Sequence, residues 1–217
     1  MQSAVLILGA SSDIGLEIVN YYVDEEWRVV AHGNSSVKCL NDISELVTSF
    51  KLDMTDPKEV EEFIRENNSL FKDVSVIINC IGYIESKDYF NVNYKHMSKV
   101  FNINLFSPIL FNSFLIPKMI SHNWGRIVNL GSIGVKFGGG TNSFCYSMTK
   151  HSLEFMPSDH KKWATCNVLY NTVRVGVTDT KIHYKDKKKN MTDRISMIPI
   201  GRMASTQEIA KFVYWLG

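Results

Sequence analysis

The chain has 217 residues and a net charge of +2, with 45% hydrophobic and 21% charged residues. That length is sufficient for one well-buried domain and short for two. The near-neutral charge favours neither nucleic acid nor a membrane surface as a partner. The four scattered cysteines indicate a reducing, cytoplasmic setting without a disulfide framework. The apolar start AVLIL is too short for a secretion signal, and no apolar segment is expected to be long enough to span a membrane.

Six apolar runs of strand length alternate with longer helical patterns along the chain. The strand candidates are AVLILG (4–9), WRVVAHG (27–33), FKLDM (50–54), VSVIINCIG (74–82), RIVNLGS (126–132) and NVLYNTVRVG (167–176). Strands that are buried on both faces and separated by helices indicate a parallel sheet. The sequence therefore predicts a doubly wound, Rossmann-like α/β fold with three α/β/α layers, formed as a single domain over residues 1–217.

Two helical patterns carry features that matter below. The apolar stretch 96–120 contains Pro108 and Pro117, which predicts a buried helix with a bend. The stretch YSMTKHSLEFM predicts a helix that runs up to Pro157.

The segment LGASSDIG, residues 8–15, joins the first strand to the first helix. Gly9 permits a tight turn and Gly15 lets the helix pack close to the strand, while the N–H groups at the helix start suit a pyrophosphate. Asp13 stands where a third glycine is usual, so its charge must point away from a phosphate, or it caps the helix. The alternative for this loop is an ordinary strand-to-helix turn, because a glycine-rich motif alone is not specific for nucleotide binding.

The sequence resembles the short-chain dehydrogenase/reductase family from Ser3 to Leu216. Four family motifs occur in order, three of them with substitutions. They are LGASSDIG (8–15) for T-G-x-x-x-G-x-G, NCIG (79–82) for N-N-A-G, YSMTK (146–150) for Y-x-x-x-K, and NTVRVGVTDT (171–180) for N-x-x-x-P-G-x-V-x-T. Within the family, GRIVNLGS and PIGRMAS are similar to members of the 3-oxoacyl-carrier-protein reductase type.

The pattern Y-x-x-x-K occurs three times, at Tyr83, Tyr146 and Tyr184, so it is not specific by itself. Only Tyr146 begins a helical pattern, in which a four-residue spacing places both side chains on one face. It also follows Ser132, at the end of a predicted strand, by fourteen residues. The alternative for Tyr146 is a half-buried helical tyrosine.

The resemblance implies that Asn104, Ser132, Tyr146 and Lys150 are the catalytic residues. A phenol with a pKa near 10 is a poor acid–base catalyst at neutral pH, and we expect the charge of Lys150 to lower that pKa. Ser132 would hold the substrate oxygen against Tyr146. By resemblance, Asn104 would position a water that relays protons to Lys150. The alternatives are a strand-end turn for Ser132 and local backbone bonding for Asn104.

The residues expected to bind the cofactor lie in the loops after the strands, together with the catalytic pair. They are Gly9, Ser11, Ser12, Asp13, Ile14, Gly15, Asn34, Ser35, Ser36, Asp53, Asn79, Gly82, Tyr146, Lys150, Gly176 and Thr180. No acidic residue occurs between Glu26 and Asp42, where an NAD site has a carboxylate. The sequence therefore favours NADP(H) over NAD(H), with His32 as a further neutral donor, and predicts that Gly33→Asp reverses the preference. The alternative is that both cofactors bind similarly.

The resemblance implies hydride transfer between a nicotinamide cofactor and a small-molecule carbonyl or alcohol, with the 3-oxoacyl type as the substrate class suggested by GRIVNLGS and PIGRMAS. The alternative is a non-catalytic nucleotide-binding protein, structural or regulatory, with a vestigial active site. No metal is expected, because the six histidines have no metal-ligand spacing.

Two expectations concern the end of the chain. Residues 182–199 lack an apolar period and are expected to form a mobile lid over the substrate. Family members continue into a seventh strand, whereas this sequence ends at Gly217, by nature or by truncation. An uncovered sheet edge would favour a homodimer or homotetramer.

Overall fold

A computed structural model describes residues 3–181 and 191–217 of the chain. Its centre is a sheet of parallel strands in the order β3-β2-β1-β4-β5-β6. The strands are β1 (Ala4–Leu8), β2 (Arg28–Gly33), β3 (Val47–Lys51), β4 (Val74–Asn79), β5 (Gly125–Leu130) and β6 (Val168–Val173). This is the doubly wound arrangement predicted from the alternating pattern, which is confirmed.

Helices cover both faces of the sheet. They are α1 (Asp13–Asp24), α2 (Lys38–Asn41), α3 (Pro57–Glu66), α4 (Tyr94–Phe101), α5 (Ser107–Ser121), α6 (Phe144–Ser152), α7 (His160–Thr165), α8 (Met191–Ser196) and α9 (Thr206–Leu216). Strand β1 shows how both faces are filled, because Leu6 belongs to one apolar cluster and Ile7 to the cluster on the other side. Since the chain leaves β1 and β4 toward opposite faces, a crevice forms at the carboxyl ends of these strands, where such folds bind ligands.

The predicted bend in the long apolar stretch is a π-helical turn, Asn102–Phe106, between α4 and α5. Pro108 lies in the first turn of α5, where no backbone N–H is needed, and Pro117 is accommodated inside that helix. A π turn inside a helix re-aims side chains and is frequent at functional sites. The turn contains Asn104, which is buried.

The whole helical run Tyr94–Ser121 is long and apolar enough to cross a membrane by length and composition alone. The expectation that no segment reaches that length is therefore wrong. Of its most apolar 18-residue window, 56% is buried inside the fold, as in the core helix of a globular protein.

Several element boundaries differ from those predicted, among them those of β3 and α6. Strand β3 covers Val47–Lys51 instead of 50–54, because its half-exposed, polar first residues gave little apolar signal. Helix α6 ends at Ser152, before the predicted end next to Pro157. Of the lid predicted at 182–199, residues 182–190 lie outside the described part of the chain, and the remainder includes α8.

Candidate active site

The glycine loop between β1 and α1 has the form that close approach to a ligand requires. Gly9 has a φ of 81°, in the left-handed region that favours glycine. A Cβ on Gly15 would lie 2.4 Å from the Gly9 carbonyl oxygen, so only glycine fits at that contact. The N-cap of α1 is Ser12, whose Oγ accepts from the Gly15 N–H at 3.1 Å. Asp13 is thus the first residue of the helix, and the interpretation of Asp13 as its cap is wrong.

The carboxylate of Asp13 is turned toward the segment that follows β6. Its Oδ2 accepts from the backbone N–H of Lys181 at 2.7 Å, and its Oδ1 lies 3.3 Å from Lys181 Nζ. An opposite charge at this distance reduces the repulsion that a carboxylate in the loop would exert on a phosphate. Of the two expectations for Asp13, a charge that points elsewhere agrees with these contacts, and the helix cap does not.

Behind this loop lies His32, at the end of β2. Its Nδ1 accepts from the Gly9 N–H at 3.1 Å, which leaves the proton on Nε2 to donate to the Leu52 carbonyl oxygen at 2.9 Å. Burial lowers the pKa of His32, so the ring is neutral. Because both nitrogens are bonded to backbone, the expectation that His32 serves as a phosphate donor is wrong. The ring instead holds the glycine loop against the ends of β2 and β3.

The turn after β2 exposes Asn34, Ser35 and Ser36 beside the buried Gly33. A Cβ on Gly33 would lie 2.7 Å from the Ser36 carbonyl oxygen and 3.4 Å from Ser11 Oγ. The backbone therefore leaves no room for a larger residue at this position. Gly33→Asp must distort the turn, so the predicted simple reversal of cofactor preference does not follow from that substitution.

Ser132 and Tyr146 meet beyond the carboxyl end of β5. Ser132 caps a short 3-10 turn, with its Oγ accepting from the Gly134 N–H at 3.1 Å. Tyr146 lies in the first turns of α6, and burial raises the pKa of its phenol, while a hydrogen bond with Ser132 opposes that rise. The interaction with Ser132 brings the two predicted catalytic hydroxyls together.

Lys150 is 2% exposed and reaches back under the site. Its Nζ donates to the carbonyl oxygens of Ile81 at 2.5 Å and Leu130 at 2.6 Å, and lies 5.9 Å from the centre of the Tyr146 ring. Burial lowers the pKa of Lys150 to about 8. The predicted lowering of the Tyr146 pKa by this ammonium is not found, because burial of the phenol dominates.

Cys80 interacts with both the glycine loop and α6. Its Sγ lies 3.5 Å from Ser12 Oγ, and its thiol interacts electrostatically with Lys150. Sequence reasoning did not assign Cys80 a role, although it occupies the second asparagine position of the N-N-A-G pattern. The same electrostatic contact raises the pKa of Lys150 slightly against the larger effect of burial.

Asn104 is held by the loop after β4. Its Oδ1 accepts from the Tyr83 N–H at 2.8 Å, and its Nδ2 donates to the Tyr83 carbonyl oxygen at 2.9 Å and to Thr149 Oγ1 at 3.2 Å. Tyr83 is thus engaged with the site through its backbone and does not begin a helix with Lys87. Sequence reasoning missed Thr149, although its spacing of three residues from Tyr146 places it on the same face of the helix.

The other predicted cofactor residues differ in exposure. Asn79 is fully buried, with its Oδ1 accepting from Ile81 N–H and its Nδ2 3.5 Å from Asn129 Oδ1, so it supports the strand end instead of facing the crevice. Asp53 is exposed and accepts from the Thr55 N–H at 2.9 Å. The remaining positions are exposed or half-buried and lie in the first turn of α1 and in the loops after β4 and β6. They are Ile14, Gly82, Gly176 and Thr180.

The crevice fits a dinucleotide. Backbone approach is possible at Gly82 and Gly176, where a Cβ would meet no atom within 4 Å, and at the N-terminus of α1, whose N–H groups favour an anion. In residues 3–181 and 191–217, no group of three side chains is arranged to hold a metal ion.

A Rossmann-like sheet with a glycine loop, and a tyrosine and lysine behind a serine, define a nucleotide-dependent oxidoreductase. A family model described as "short chain dehydrogenase" matches residues 3–191, and the chain belongs to that family.

Individual relatives agree with this assignment. The chain is 26% identical to the 3-oxoacyl-[acyl-carrier-protein] reductase FabG of Aquifex aeolicus, over 97% of this chain and 88% of that protein. It is 30% identical to the FabG of Buchnera aphidicola, over 76% of this chain and 68% of that one.

Solved structures share the fold. A structure titled "ElxO with NADP Bound" superposes with a TM-score of 0.84 at 22% identity, covering 100% of this chain and 91% of the other. A 3-oxoacyl (acyl-carrier-protein) reductase from Agrobacterium tumefaciens C58 with NADP bound gives a TM-score of 0.87 at 19% identity, with 99% and 87% coverage. The chain is an oxidoreductase that resembles 3-oxoacyl-carrier-protein reductases.

Proposed function

We propose that the protein is an NADPH-dependent carbonyl reductase in which Tyr146, Lys150, Ser132 and Asn104 perform the proton chemistry. The observation that supports this best is the hydrogen bond between Tyr146 and Ser132, with Lys150 buried one helical turn away and bonded to the carbonyl oxygens of two strand ends. A bound nicotinamide would supply the hydride. The residues of this chain orient the carbonyl and deliver the proton.

The protonation states favour reduction. Because burial raises the pKa of Tyr146, its phenol carries a proton at neutral pH and can donate it to a substrate oxygen. Ser132 adds a second donor toward the same oxygen. Lys150, with a pKa of about 8, is mostly cationic at pH 7. Asn104 maintains the route by which water returns a proton to Lys150.

The cofactor we infer is NADP(H). The exposed turn Asn34 to Ser36 offers neutral donors, and the space at Gly33 is too small for the carboxylate that would select NAD. Two structures of similar fold carry NADP in their titles, which agrees with this inference. The preference is expected to be modest, because no arginine stands ready to hold the phosphate in two hydrogen bonds.

The substrate class that we infer is a 3-oxoacyl thioester or a related small ketone, from the names of the similar proteins. We also infer a single domain, a cytoplasmic location and a homo-oligomer. The last is supported by β6 at the edge of the sheet, where Leu169 is 40% exposed, and by Phe155, which is 81% exposed beside an apolar groove between α5 and α7.

Two measurements test the proposal. Purified protein is titrated with NADPH and NADH at one ionic strength, and then assayed for NADPH oxidation with a panel of ketones and 3-oxoacyl thioesters. We expect tighter binding of NADPH and turnover of at least one carbonyl. Tighter binding of NADH would overturn the cofactor assignment, and binding without any turnover would overturn the assignment as a carbonyl reductase.

A further inference from the structure

A chain of hydrogen bonds runs from the π turn to the helix that carries Tyr146 and Lys150. Asn104 Nδ2 donates to Thr149 Oγ1 at 3.2 Å, and Thr149 Oγ1 donates to the Tyr146 carbonyl oxygen at 2.7 Å. The second N–H of the Asn104 amide donates to the Tyr83 carbonyl oxygen, and its Oδ1 accepts from the Tyr83 N–H. Each polar atom of the Asn104 side chain therefore has a partner, and one of these partners is the Thr149 hydroxyl.

Both side chains are sealed from solvent. Asn104 and Thr149 are each 0% exposed, so bulk solvent does not reach the hydrogen bond between them. A buried N–H without an acceptor is strongly unfavourable, and a network of this kind retains one geometry only while every member is satisfied. The Thr149 hydroxyl thus acts as acceptor and donor at the contact between the π turn and α6.

We propose that Thr149 is a positioning residue for the reaction, which fixes Asn104 relative to Tyr146 and Lys150. This inference rests on the proposed function of the site. Through its hydroxyl, Thr149 fixes the position of the π turn relative to the first turns of α6. Because Asn104 also bonds the backbone of Tyr83, the same contact fixes the position of the loop after β4.

The expected consequence of losing the hydroxyl is a displacement of Asn104, not a loss of the cofactor site. Asn104 Nδ2 would rotate to find another acceptor, which disturbs its bonds to Tyr83 and the path by which a water reaches Lys150. Displacement of a catalytic group by about 1 Å can reduce a rate by roughly 100-fold. Among the described residues, the Thr149 side chain makes its hydrogen bonds to Asn104 and Tyr146 and none to the glycine loop or His32, so binding of NADPH is expected to persist.

The experiment compares Thr149→Val, which keeps the shape and removes the hydroxyl, with Thr149→Ser, which keeps the hydroxyl. Thr172→Val is the matched control, because the Thr172 hydroxyl donates to the Leu153 carbonyl oxygen at 3.1 Å, at the other end of α6. With the ketone that the wild type reduces fastest, we expect Thr149→Val to lower kcat by about 100-fold with the KM for NADPH within about twofold. Thr149→Ser should recover most of kcat, and Thr172→Val should remain near wild type.

A double-mutant cycle with Asn104→Ala shows whether Thr149 acts through Asn104. In the Asn104→Ala background, Thr149→Val should have little further effect on kcat. If the two losses multiply, or if Thr149→Ser is as slow as Thr149→Val, the proposal is overturned. Thr149→Ala deletes the same hydroxyl without a branched side chain and replaces the valine variant if that protein does not fold.

A measurement that needs no turnover separates this inference from the proposed function. Hydrogen exchange of the Tyr83 amide should accelerate in Thr149→Val and stay unchanged in Thr172→Val, because only the former loosens Asn104. If the wild type is inactive but shows this exchange pattern, the carbonyl reductase assignment is rejected, and the conclusion that Thr149 fixes Asn104 is retained. An active wild type whose Thr149→Val variant matches it in kcat and in exchange would reject the positioning role and retain the reductase.

Discussion

Replacing His32 with phenylalanine tests how the cofactor loop is held. The ring packs 5.4 Å from Phe50, between centroids, and a phenylalanine fills similar space. The substitution leaves the Gly9 N–H and the Leu52 carbonyl without their partners. Each unmade buried bond costs about 1–3 kcal/mol, so we expect a loss of about 2–4 kcal/mol in the free energy of unfolding. NADPH affinity should fall as well, because Gly9 belongs to the loop that would bind the pyrophosphate.

The same histidine predicts an acid dependence of stability. Its pKa in the folded protein is lower than the ordinary value of 6.5, so the folded state resists protonation more than the unfolded state. The contribution of His32 is therefore full above pH 6.5 and declines as the pH falls toward the lower pKa of the folded state. In His32→Phe, the decrease in the free energy of unfolding that His32 causes below pH 6.5 should disappear.

The assay is urea unfolding of both proteins over a series of pH values across this range, with NADPH titrations at the same points. His122→Phe is the control, because His122 is exposed and lies at the end of α5. An exposed substitution of this kind is expected to change stability by less than about 0.5 kcal/mol. Equal stability of His32→Phe and wild type, or the same acid slope in both, would refute the assigned hydrogen bonds of His32.

Three further substitutions probe the glycine loop, the apolar core and the N-cap of α9. Gly15→Ala places a Cβ 2.4 Å from the Gly9 carbonyl oxygen and should weaken NADPH binding by at least roughly tenfold in a titration, whereas Gly140→Ala, with its nearest contact at 3.6 Å, should not. Wild-type affinity in Gly15→Ala would contradict the described loop. Phe111→Ala empties a fully buried site and should reduce unfolding free energy by about 3–5 kcal/mol. Ser205→Ala removes the N-cap of α9 and should lower the free energy of unfolding by about 1 kcal/mol in the same urea assay. An unchanged stability of Phe111→Ala would argue against the described packing of Phe111, and an unchanged stability of Ser205→Ala would argue against the described cap.

Periodicity was sufficient to predict the sheet. Each residue of β1 is buried, and such continuous apolar runs are typical of parallel strands covered on both faces. The edge strand β3 was misplaced because its residues Val47 to Ser49 are half-exposed or exposed and mix polar with β-branched types. The π turn could not be predicted, since Pro108 suggested a bend but nothing in residue type specifies the i to i+5 bonds around Asn104.

Residue types predicted which side chains approach the site but not their electrostatic balance. The four-residue spacing of Tyr146 and Lys150 indicated a shared helix face, yet it could not show that Lys150 turns to two backbone carbonyls. Whether a nearby charge or burial dominates the Tyr146 pKa depends on how deeply the phenol is buried, and the spacing of two residues along a helix does not predict that burial. Likewise, His32 was expected to be a donor to the cofactor, because its two backbone partners, Gly9 and Leu52, are distant in sequence and could not be predicted from it.

The central claim is that Tyr146 donates the proton in an NADPH-dependent carbonyl reduction. Its most direct test is the rate of NADPH oxidation by wild type and Tyr146→Phe with the same 3-oxoacyl thioester or ketone, together with the NADPH Kd of each protein. We predict that Tyr146→Phe lowers kcat by roughly 100-fold to 10,000-fold, the usual contribution of a general acid, while its Kd stays within about twofold of wild type. A Tyr146→Phe enzyme with unchanged kcat would contradict the account.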